Sequence, residues 1–165
     1  MATLYLWLKF IHVVAAFTFL MGHGVAVALS FQLKKETDTK RIEAMFDLSA
    51  TMWPVYILSL LVLLLDGILI SFLGHYWGRA WVWTSLVALV VMIVWMFMIG
   101  QGTYHPMRRK LGLPYMIRGD HFPPEPAVPP AEQARLLAET KPWEMLIIGY
   151  GGFILIAWLM MFKPF

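Results

Sequence analysis

No cysteine occurs anywhere in the sequence. Disulfides, thiolate-ligated zinc or iron–sulfur centres, cysteine nucleophiles and covalently attached c-type haem are therefore excluded. Charge is scarce as well: charged residues make up 14% of the chain, against about 25% in an ordinary globular domain. There is no phosphate-binding loop, dinucleotide fingerprint, zinc-protease motif or nucleophile elbow. The net charge of +3 is small, and the basic residues cluster in two segments between apolar runs. That distribution reads as membrane topology and argues against a nucleic-acid partner.

What the chain has in excess is apolar surface. Hydrophobic residues account for 60% of its 165 positions, and a single domain of this size cannot hide so much from water by folding alone. The lipid bilayer is the partner that composition demands. A span needs about 20 apolar residues, and four stretches qualify: Leu4 to Phe31, Met52 to Leu73, Ala80 to Gly100 and Trp143 to Phe162. The first is too long for the apolar core of a signal peptide and reads as a retained span. The expected fold is all-α, a single four-helix integral membrane bundle over residues 1–165.

Charge then gives an orientation. Lys34, Lys35, Lys40 and Arg41 lie between the first two spans, and Arg108, Arg109, Lys110, Arg118, Arg135 and Lys141 lie between the last two. The opposite side holds only Lys9, Arg79 and Lys163. Basic loops stay in the cytoplasm, which puts both termini on the non-cytoplasmic side, as in a bacterial inner membrane. Tyr5, Trp7, Tyr76, Trp77, Trp81, Trp83 and Trp158 fall at one expected boundary, and Trp53, Tyr104 and Trp143 at the other. Such rings favour headgroup levels. Trp95 fits neither belt and is expected to pack between helices. The 101–142 segment is a proline-rich cytoplasmic loop, irregular except for a short helix over Ala131–Thr140 that starts at a proline. That helix has three readings: a membrane-surface element, a dock for a partner, or a plain linker.

Two histidines stand out on the first span. His12 and His23 point within about 20° of each other and lie about 16 Å apart along the helix axis. Ala16, Phe19, Ala26 and Ser30 share their line, and Gly22 and Gly24 flank His23, leaving room for a neighbouring backbone or a flat ligand. An imidazole facing lipid is costly, so both belong inside the bundle. There each either hydrogen-bonds another helix or ligates haem iron. Their separation excludes a shared iron, since metal–nitrogen bonds are about 2 Å long, but allows one haem b on each. A second axial ligand is scarce. Met92 and Met96 of the third span are the options there, with Met96 nearer the depth of His23, and methionine is equally ordinary core filler. His105 is another option beyond that span, while His75 and His121 read as solvated loop residues.

Asp66 is the only acidic residue deep in a span, at about the depth of Lys9 and His12. A carboxylate in hydrocarbon must be paired, protonated or wet. Three readings follow: a Lys9–Asp66 ion pair, an Asp66–His12 contact that orients the ring for a metal, or a proton-carrying site. The run Gly149-Tyr150-Gly151-Gly152 reads as a close-packing patch on the fourth span.

The opening run Leu4-Tyr5-Leu6-Trp7-Leu8-Lys9-Phe10-Ile11-His12 and the basic exit Met107-Arg108-Arg109-Lys110-Leu111 resemble the small membrane proteins grouped around HemJ, a protoporphyrinogen oxidase, and CopD, a copper-resistance protein. The resemblance covers about the first 110 residues and implies a helical membrane fold with haem associated with a first-helix histidine, which maps onto His12. The HemJ branch also has a functional lysine in a later membrane helix. Spans two, three and four contain none here, so the resemblance implies a separate branch and not the oxidase itself. The functional expectation is a b-haem or porphyrin-binding protein that passes electrons, oxidoreductase-like if it carries haem. The alternatives are a cofactor-free accessory subunit of a larger membrane complex, or a proton or metal-ion pathway through Asp66 and His12.

Overall fold

The computed structural model describes residues 2–117 and 120–165, so Arg118 of the basic loop lies outside the described residues. Four helices are long and apolar enough to cross a membrane. The first, α1, runs over Ala2–Leu33, and α2 over Thr39–Leu73. Next, α3 covers Ala80–Ile99, and a π-helical turn at Gly100–Tyr104 leads into the short α4, His105–Lys110. A small antiparallel hairpin follows, β1 Tyr115–Ile117 and β2 Asp120–Phe122, with Tyr115 opposite Phe122. The chain ends with α5, Pro130–Ala138, and α6, Pro142–Phe162.

Neighbouring spans run in the order α2–α1–α6–α3, with α1 packed between α2 and α6. Both termini and the 74–79 turn gather at one end, here the terminal end, where the Tyr5 and Tyr76 hydroxyls lie 3.2 Å apart. The loop end carries the 34–38 and 100–142 connections. In lipid no hydrophobic force draws helices together, so close backbone approach and polar contacts must do it. Glycines supply the approach. An added Cβ on Gly22 would lie 3.5 Å from Tyr56 Cβ on α2, and one on Gly152 would lie 3.1 Å from Met92 Sδ on α3.

The loop end departs from the expected picture. α2 begins well before Met52, because Asp38 caps it, accepting from the Lys40 N–H at 2.8 Å, and Pro54 is tolerated inside the helix. This extension carries Ile42 and Phe46 into a second core with Leu33, Met107, Leu111, Leu113, Leu136 and Leu137. The expected short helix is present as α5, starting at a proline, but its leucines pack into the chain's own cap. Burying a leucine side chain from water stabilises by about 1.5–3 kcal/mol, so the prolines frame an ordered cap rather than a slack loop. Trp95 also differs from expectation. It is 46% exposed, on the bundle's outer face.

Candidate functional site

The buried face of α1 comprises Ala15, Phe19, Gly22, His23, Val27, Ser30 and Leu33; of the expected stripe it keeps Phe19, His23 and Ser30, while His12, Ala16 and Ala26 are half-buried at its edge. The two histidines meet different surroundings.

His23 is closed in. Its Nε2 lies 3.2 Å from the Met145 carbonyl of α6, and an added Cβ on Gly149 would overlap the ring. Phe19 stacks on it at 6.0 Å and Tyr150 tilts against it at 5.3 Å. Phe19 in turn stacks on Tyr56 of α2 and Phe153 of α6. Gly24 gives way to the Tyr150 hydroxyl, which would stand 2.7 Å from an added Cβ. The room that Gly22, Gly24, Gly149 and Gly152 provide is thus taken up by protein, whereas Gly151 faces outward with nothing within 4 Å. An iron on His23 Nε2 would need α1 and α6 to separate, because that nitrogen faces the Met145 carbonyl. The ring fits the alternative of an interhelix hydrogen bond. Met96 packs with Val27, Ile99 and Met145 as hydrophobic filler.

His12 is open by comparison. Its Nδ1 stands 3.4 Å from Asp66 Oδ2, with the Asp66 side chain only 6% exposed and that of His12 18%. Gly67, the next residue of α2, makes the approach possible, since an added Cβ there would lie 3.3 Å from His12 Cε1. The contact has ion-pair distance but no aligned hydrogen bond, and His12 Nδ1 and both Asp66 oxygens are buried without another partner. Unpaired polar groups in an apolar medium cost several kcal/mol, so these atoms call for a proton or a ligand. Of the two imidazole nitrogens, Nε2 is the one not facing the carboxylate. A carboxylate behind one nitrogen and a second nitrogen without a partner is the arrangement that orients a metal-ligating histidine. The residues at His12 therefore fit a single axial ligand.

Lys9 does not join this pair. Its ammonium sits 4.3 Å from the Tyr5 ring centroid, and Asp66 faces His12 instead. His75 and His121 are exposed, as expected of loop residues, and His105, the further ligand option, is exposed at the start of α4. Among the described residues no group of three or more acidic or imidazole side chains converges as an all-protein metal site would require.

One element of the site escaped sequence reading. Gly67 follows Asp66 directly, and an acid–glycine pair in the middle of an apolar helix was the available signal for a close approach beside the carboxylate. No protein-family model, no curated protein and no solved structure matches the chain.

Proposed function

We propose that this chain is an integral membrane haem- or porphyrin-binding protein in which His12 is the axial ligand and Asp66 the residue that orients it. The observation that carries the reading is the His12–Asp66 contact, which Gly67 permits by letting the ring approach α2 closely, with the remaining imidazole nitrogen in no hydrogen bond among the described residues. The resemblance of the Leu4–His12 run to HemJ- and CopD-like proteins supports it. A haem held there would supply one-electron chemistry, and the chain would act in electron transfer. The loop end, with its basic residues, faces the cytoplasm of a bacterial inner membrane, which the positive-inside rule supports. This sets His12 and Asp66 in the outer half of the bilayer.

A reduced-minus-oxidised absorption spectrum of gently purified protein tests the proposal. A b-type signal is expected in the wild type and in a folded His23→Ala variant, and none in His12→Ala. A colourless wild type that co-purifies with other membrane chains would replace this reading with the cofactor-free accessory subunit.

A further inference from the structure

The terminal end carries cations that no acid neutralises. Apart from Asp66, every acidic side chain lies between Glu36 and Asp47 or between Asp120 and Glu144, all at the loop end. There the ion pairs form: Arg108–Asp47 at 2.6 Å, Arg109–Glu125 at 2.8 Å and Lys141–Glu144 at 3.2 Å. At the terminal end, Lys9 and Lys163 have no carboxylate within ion-pair distance among the described residues.

These two lysines are not scattered. Lys9 lies over the Tyr5 ring, and Lys163 lies 4.7 Å from the Tyr76 ring centroid and 5.6 Å from that of Trp81. The Tyr5–Tyr76 hydroxyl contact at 3.2 Å joins the two halves. Lys163 is placed by the end of α6. Its backbone turns left-handed at φ 47°, and its N–H donates to the Leu159 carbonyl at 3.0 Å. Leu159 is buried against Trp81 and Val82. Two ammonium groups and two phenols are thus linked in one run of contacts at the terminal end.

The cluster also stands in register with His12. Tyr5 precedes His12 by seven residues, so the two point within about 20° of each other, about 10 Å apart along the axis, with Lys9 between them. A ligand with a flat apolar body and an anionic edge matches this line, body toward His12 and charge toward the terminal end.

We infer that Tyr5, Lys9, Tyr76 and Lys163 form the anion-binding half of the His12 site and take the carboxylate groups of the ligand whose ring sits at His12. This rests on the proposed function. Lipid phosphate offers the same chemistry to the two lysines, and the experiment separates the two sources.

The full chain in lipid nanodiscs is titrated with haemin and with haemin dimethyl ester, whose carboxylates are blocked, and the Soret band is followed. The free acid is expected to bind at least about tenfold more tightly than the ester, the scale of one charge-assisted hydrogen bond. A Lys9→Gln/Lys163→Gln double variant erases that ratio without moving the Soret maximum. Both substitutions are at the membrane surface, and the ester arm needs no variant at all. Equal binding of acid and ester overturns the inference while leaving His12 as ligand. A double variant that keeps the acid–ester ratio but loses retained phosphatidylglycerol assigns the lysines to lipid phosphate, and also overturns it. If neither probe gives a Soret change that His12→Ala removes, the proposed function itself fails and the inference falls with it.

Discussion

Around His23 the helices touch, with Gly149 beneath the ring, the Met145 carbonyl on Nε2 and Phe19 and Tyr150 on its faces. Around His12 the contact is with α2, through Asp66 and Gly67, and its polar atoms lack aligned hydrogen bonds. The two residues share a helix and a direction, so the difference comes from what each meets. In the half nearer the loop end the bundle spends its glycines on close approach and uses an imidazole as interhelix glue, as lipid-embedded packing favours. In the terminal half it keeps an acid and an imidazole in hydrocarbon at a cost in stability. Such residues mark functional positions.

The comparison breaks most directly at Gly149. Its missing side chain is what admits His23, so Gly149→Leu forces α1 and α6 apart. A loss of about 3 kcal/mol or more is expected, at the upper end of overpacking costs. The check is thermal unfolding in detergent, where wild-type stability in the variant would show that the His23 contact is slack.

Swapping the histidines for alanine sharpens the contrast. His23→Ala removes a buried ring and its hydrogen bond and is expected to cost about 1–3 kcal/mol. His12→Ala relieves Asp66 of its neighbour and is expected to change stability by less than about 1 kcal/mol, since Asp66 can then take up a proton. The haem signal should respond in the opposite order, lost with His12 and kept with His23. Equal stability costs for both would mean that the two halves are built alike.

Asp66→Asn is a finer probe of the terminal half. The amide preserves shape but removes the carboxylate that orients the imidazole, and loss of such a supporting contact typically weakens metal affinity by about 10–100-fold. The expected outcome is weaker haemin binding at an unchanged unfolding temperature, read by titration and by thermal melts on one preparation.

Much of this was legible in the chain itself. Long apolar runs located the spans, and the line through Phe19, His23 and Ser30 located the buried face of α1 to within one residue, because lipid leaves few other solutions. What stayed hidden depends on partners distant in sequence. Depth along the spans offered Asp66 either Lys9 or His12 as partner, and His12 is the one it meets, but nothing local says that His23 meets Gly149 and the Met145 carbonyl. The loop end was misread for a different reason. Its prolines signal irregular backbone, yet Leu136 and Leu137 find Leu33, Ile42 and Phe46 only once α2 extends past the membrane. The amphipathic start of α2, with Lys40 and Arg41 beside Ile42, was hidden by the charge that marks it as loop.

The cap offers the smallest effect and the only one set by pH. Glu125 accepts from the Tyr115 hydroxyl at 2.5 Å and from Arg109 Nε at 2.8 Å. Those contacts hold its carboxyl below the usual carboxylate value, the tyrosine acting first and the arginine second. The same hydrogen bond raises the Tyr115 phenol above its ordinary value of 10.0. A depressed carboxyl contributes stability above its unfolded value and loses it as pH falls through the folded one. A raised phenol contributes below its unfolded value and loses it as pH rises through the folded one. Both limbs describe one contact, so the hairpin is expected to be most protected between them. It loosens first as pH drops below the ordinary carboxylate value of 4.5. All three groups face water, which keeps the effect local. Hydrogen exchange of the 110–128 segment, followed from neutral pH into acid and corrected for intrinsic rates, should show protection fall in the wild type and stay flat in Glu125→Gln. A wild-type profile as flat as the variant's would mean that the packing of the cap, and not this carboxylate, orders the hairpin.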